Sequence, residues 1–242
     1  MLTQKNFFVD LFAEANKIPL AVKLTYTAFM AVLIPFYLKE YGATNFLYFC
    51  DVALFFTLAA VWTEKPILAA MPAVGILLPQ ALWCADFIGT AMNLPVNGMT
   101  AYMFDANIPK FARSLSFFHF WLPFLLVYLV YKLGYDTRAL KYWTLLAWVL
   151  LLVCYLFMPA PPAPNSATPV NINYVFGMND KAAQTYMHPL SWLAMLMVLL
   201  PTVLYLPTHW ALKRWFAQRV AHTAPSQTAS TTPGGAIQTE RK

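Results

Sequence analysis

The sequence predicts an all-α protein, a polytopic membrane bundle of six transmembrane helices preceded by an amphipathic helix lying on the membrane surface. Three observations carry this. The chain is 60% hydrophobic and only 11% charged over 242 residues. Its mean hydropathy of +0.55 is too high for a soluble domain of this size. The apolar residues also gather into runs long enough to cross a hydrocarbon core of about 30 Å.

The first 18 residues, MLTQKNFFVDLFAEANKI, lack a continuous apolar stretch and a small-residue cleavage site, so they do not read as a signal peptide. Phe7, Phe8, Leu11, Phe12, Ala15 and Ile18 fall at helical spacing on one face, which predicts an interfacial helix over 1–18. The spans are predicted at 19–38, 46–63, 67–92, 114–133, 139–158 and 189–210, within a transmembrane domain of 19–216. The third is long, and Pro72 and Pro79 offer a kink. Pro35, Pro123, Pro201 and Pro207 also lie inside spans, where neighbouring helices can accommodate them. Residues 217–242 are rich in Ser, Thr, Pro and Gly and are predicted to be a disordered tail.

The chain has 16 Lys and Arg and a net charge of +6. These residues lie between and after the apolar runs, so they report membrane orientation rather than nucleic-acid binding. Only Lys39, Lys110, Arg113 and Lys181 fall on the side opposite the N-terminus. Both termini are therefore predicted to be cytoplasmic, in a bacterial inner membrane. Two long loops, 93–113 and 159–188, lie outside, the second beginning with the proline-rich spacer PAPPAPNSATP. An elaborate outer side over a plain inner side places function outside.

Depth counting finds a polar layer there. Cys50 and Asp51 lie about five residues inside the second span, about 8 Å deep. Asp86 on the third span, His119 on the fourth, Cys154 on the fifth and His188 at the start of the sixth fall near the same level. His209 sits near the inner end. Each group alone reads as a locally bonded residue, and together they read as a shared site, because ionisable side chains in a membrane bundle are costly. A thiol becomes a nucleophile when a base takes its proton and a third group orients that base. Cys50, His119 and either Asp51 or Asp86 supply those residue types. Ser116 lies one turn before His119, and Gln80 lies at mid-depth of the third span. A zinc set from Asp51, Asp86, His119 and His188 lacks paired-histidine spacing, so neither a metal nor another cofactor is expected. The three cysteines cannot form a closed disulfide set.

NFLYFCDVALFF, SLSFFHFWLPFLLVY and NINYVFG ahead of VLYLPTHW resemble the YwaF-type bacterial integral membrane proteins. More distantly, they resemble the related animal transmembrane acyltransferases and the androgen-induced and androgen-dependent TFPI-regulating hydrolases. The likeness covers about residues 40–215. It implies an intramembrane lipid acyltransferase or hydrolase with Cys50 as nucleophile and His119 as base. In such an enzyme Asn171, Asn173 and Tyr174 would cap a lipid head group, Asn173 facing an oxyanion. Three features depart from the family. Tyr48 stands where it has a histidine, Asp51 where it has a neutral residue, and the 159–170 loop is richer in proline. Two other readings are a lipid or small-molecule binding or transport protein using the Asp/His layer, and a structural or assembly protein. The expected partner is membrane lipid.

Overall fold

The computed structural model describes residues 17–94, 98–163, 169–178 and 180–223, with side chains as far as residue 218. The predicted interfacial helix, apart from its last two residues, lies outside these, as does the tail beyond residue 223. The fold is a helical bundle, with no strand among the described residues. Its helices are α1 (Leu20–Glu40), α2 (Phe49–Thr63), α3 (Pro66–Ala91), α4 (Lys110–Ser116), α5 (Phe118–Leu133), α6 (Ala139–Phe157), α7 (Pro189–Leu199) and α8 (Leu206–Thr223). They run up and down. The described residues of 41–48, 92–109 and 158–188 therefore gather at one end, here termed the loop-rich end. The turns at 64–65 and 134–138 lie at the other.

Five helical stretches are long and apolar enough to cross a membrane among the described residues, counting α4 with α5 and α7 with α8. The sixth, α2, has 15 residues and spans only about 22 Å. This is the architecture of an integral membrane protein. The predicted spans match these helices, with three differences. The second starts at Phe49 rather than 46, because Gly42 at φ 78 and a 3-10 turn over Ala43–Leu47 precede it. The fourth takes in α4 and so begins at Lys110 rather than 114. The sixth continues to Thr223.

Helix α3 is the hub, packing against α2, α5, α6 and α8. Its sequence explains why. Ala69, Ala70 and Ala73 are fully buried, and small residues let helices approach closely where no hydrophobic effect drives them together. Gly75 is the closest approach, since a Cβ there would overlap the Trp143 ring of α6.

The internal prolines strip carbonyls of their usual partners, and side chains from other helices replace two of them. Pro123 frees the His119 carbonyl, which faces the Cys84 thiol of α3 at 3.9 Å. Pro201 frees the Met197 carbonyl, which accepts from Trp148 Nε1 at 2.8 Å. Around Pro201 the helix widens into a π-helical stretch, Leu200–Tyr205. Cys84 therefore serves the backbone.

At the opposite end Glu64, in the left-handed region at φ 53, gathers three donors. Lys23 Nζ lies 2.8 Å away, and the N–H groups of Lys17 and Ile18 donate at 2.9 and 3.2 Å. Burial raises the Glu64 carboxyl, but these donors outweigh it and hold it below the usual carboxylate range. A carboxylate held lower when folded contributes stability above its unfolded value, about pH 4.3. That stability is lost as pH falls through the folded value. The melting temperature is expected to drop on acidification below about pH 4, and Glu64→Gln should flatten that part of the profile. An unchanged profile in the variant would remove Glu64 as the acid-sensitive group.

Candidate functional site

The late start of α2 moves Cys50 and Asp51 into its first turn. There the positive end of the helix dipole faces the carboxylate. Asp51 is only 3% exposed. Its Oδ2 accepts from Asn45 Nδ2 at 3.4 Å and lies 4.0 Å from the Cys50 sulfur. Its Oδ1 is buried with no hydrogen-bond partner. No cation pairs with it among the described residues.

Around this pair stand hydroxyls that depth counting of charged groups and thiols did not register. Tyr37 of α1 lies within electrostatic reach of Asp51, and its hydroxyl meets Ser116 Oγ at 3.2 Å. Tyr102, from the 92–109 loop, stands near Ser116, the Trp83 indole and Cys50. Tyr48 and Tyr174 complete the ring. Burial pushes the Tyr174 hydroxyl up to about 12 and moves Tyr102 in the same direction, so both keep their protons at neutral pH.

His119 occupies a neighbouring niche. Its Nδ1 faces the Ser116 carbonyl at 2.8 Å, a contact that places the proton on Nδ1 and leaves the lone pair on Nε2. The ring stacks against Trp83, at 4.9 Å, and against Phe118, at 4.0 Å. No hydrogen bond joins His119 to Cys50, Asp51 or Asp86 in the described residues. Asp86, fully buried, has a separate task. It accepts from the N–H groups of Gly98 and Thr100 at 3.0 and 2.8 Å, and from Thr100 Oγ1 at 2.7 Å. It thereby ties the 92–109 loop to α3.

The residues of the expected head-group cap hold the loop against the start of α2. Tyr48, the N-cap residue of α2, caps nothing with its own side chain. Asn173 does so from a distance. Its Oδ1 accepts from the Phe49 N–H at 3.0 Å, and its Nδ2 donates to the Leu47 carbonyl at 2.9 Å and faces the Cys154 sulfur at 3.6 Å. Asn171 braces the same loop, accepting from the Phe176 N–H and donating to the Gly177 carbonyl and Asp180. Asn171, Asn173 and Tyr174 all sit at positive φ, 50, 58 and 61°. Asparagine tolerates that region, whereas a tyrosine there is strained. The Tyr174 carbonyl accepts from Trp192 Nε1 at 2.8 Å, which holds the turn in place.

The remaining predicted residues scatter. His188 is exposed and accepts from the Leu190 N–H at the start of α7, at 3.3 Å. Gln80 is buried on α3, its Oε1 without a partner. His209 pairs with the Tyr135 hydroxyl at 2.7 Å, at the opposite end of the bundle. No cluster of three or more His, Cys, Asp or Glu suited to a metal occurs among the described residues.

Fold and site together define a polytopic integral membrane protein with a buried, incompletely satisfied carboxylate at its loop-rich end. Comparison with family models, with curated proteins and with solved structures returns no match.

Proposed function

We propose that the protein binds a membrane lipid or lipid-like amphiphile by its polar head at the loop-rich end, with Asp51 as the recognising group. One observation carries this reading. Asp51 Oδ1 is buried and unpartnered, in a protein where each such group is costly and functional by default. The apolar helix faces suit the acyl chains. The distribution of Lys and Arg supports an orientation with the loop-rich end outside and both termini in the cytoplasm of a bacterial inner membrane.

The test separates function from stability. Asp51→Asn replaces a buried carboxyl group that has no ion-pair partner, so the free protein should be as stable as wild type or more so. Lipid retained through detergent purification, read by native mass spectrometry, should fall about tenfold. Equal retention would sink the proposal.

A second reading keeps the chemistry that the family resemblance implies, a lipid acyltransferase or hydrolase. Its nucleophile would be Cys50 in the first turn of α2, whose thiolate would attack an ester carbonyl after His119 took the thiol proton. The carboxylate of Asp51, 4.0 Å from the sulfur, works against that thiolate. The alcohol would leave with the proton, and water or an acceptor hydroxyl would then cleave the thioester. His119, bonded to Ser116, would act only after its ring is released. Labelling by an acyl-ester probe in membranes should vanish in Cys50→Ala. Labelling that persists there excludes the acyl-enzyme.

A further inference from the structure

A second orphan lies at the same end of the bundle. Arg113 of α4 spends Nη1 on the Met103 carbonyl at 3.0 Å. Its Nε is buried with no hydrogen-bond partner. The edge left open, Nε with Nη2, is the one that grips a phosphate with two parallel bonds. Arg113 is basic and Asp51 acidic, yet neither forms an ion pair with the other or with any other described residue.

A row of side chains runs from one toward the other. Ser116 lies one turn after Arg113 along the same helix. Its Oγ meets the Tyr37 hydroxyl at 3.2 Å, and Asp51 acts electrostatically on Tyr37. One side of the row thus lacks an anion, and the other lacks a cation. Between them the Tyr37 and Ser116 hydroxyls offer acceptors for N–H groups. Leaving both polar atoms, Asp51 Oδ1 and Arg113 Nε, buried and unmatched is costly, and a single ligand bearing both an amine and a phosphate satisfies both.

Building on the lipid-binding reading, we infer that the site takes a zwitterionic ammonium–phosphate head group, its amine on Asp51 Oδ1 and its phosphate on the Nε edge of Arg113. The same chemistry occurs in phosphatidylethanolamine and in water-soluble phosphoethanolamine. The apolar bundle favours the diacyl lipid.

The experiment titrates delipidated full-length protein with phosphatidylethanolamine, phosphatidylglycerol and phosphoethanolamine, and reads binding by native mass spectrometry. Wild type should bind phosphatidylethanolamine about tenfold or more tighter than phosphatidylglycerol, the worth of one charged hydrogen bond. Asp51→Asn should erase that preference, and Arg113→Gln should weaken both lipids alike. Phosphoethanolamine binding as tightly as the lipid would assign the site to the soluble compound. Equal affinity of wild type for the two lipids overturns the head-group inference even if neither variant folds. It leaves lipid binding itself standing if Asp51→Asn still loses retained lipid. Retention independent of Asp51 overturns both.

Discussion

Gly75→Ala is expected to cost about 3 kcal/mol or more. The added Cβ would enter the Trp143 ring, touching Cε2, Nε1 and Cζ2. Trp143 is fully buried and has little room to retreat, because Phe56 meets its ring edge-on at 6.2 Å. The overlap would force α6 away from α3, the helix on which the bundle is organised. A smaller partner should relieve it. Trp143→Leu alone leaves a cavity and destabilises the protein by about 3 kcal/mol, but in the Gly75→Ala background it should recover much of the loss. Thermal melts of the two single variants and the double variant, followed by size-exclusion chromatography, give the coupling directly. Additive losses in the double variant would show that the two residues do not meet.

The spans were legible because hydrocarbon imposes a length and a composition on each helix, and those survive in any single sequence. The polar layer was legible only in part. Asp51, Asp86 and His119 lie near the loop-rich end as depth counting suggests, yet their partners differ from the expected ones. Asp86 binds Thr100 from a loop, and no periodicity announces such a contact. His119 takes the carbonyl three residues before it, a local bond in place of one to Cys50. Tyr37, Tyr102 and Arg113 were invisible for another reason. Tyrosine passes as an apolar or interfacial residue in hydropathy, and an arginine at a helix start reads as topology. Only packing reveals that the Arg113 Nε is buried and alone. Cys84 became intelligible once Pro123 was seen to free the His119 carbonyl.

Asn173 shows how a residue remote in sequence governs the position of the candidate site, and its replacement is the second large expected effect. Asn173→Ala removes the acceptor for the Phe49 N–H and the donor to the Leu47 carbonyl. Both groups sit where α2 begins and have no other side chain to serve them. Leaving such groups unsatisfied costs about 1–3 kcal/mol each. Alanine at φ 58 adds about 1 kcal/mol of backbone strain. The sum is expected to reach about 3 kcal/mol or more. Asn173→Gly relieves the strain without restoring the bonds, so the gap between the two variants should be about 1 kcal/mol. Asn173→Asp keeps the acceptor and loses the donor, and should fall between wild type and Ala. The clamp also fixes the first turn of α2, which carries Asp51. Variants that still fold should therefore lose retained lipid in the order of their melting temperatures. Lipid retention that stays at the wild-type level while the melting temperature falls would separate the clamp from the site. It would leave Asp51 held by Asn45 and the remaining turns of α2 alone.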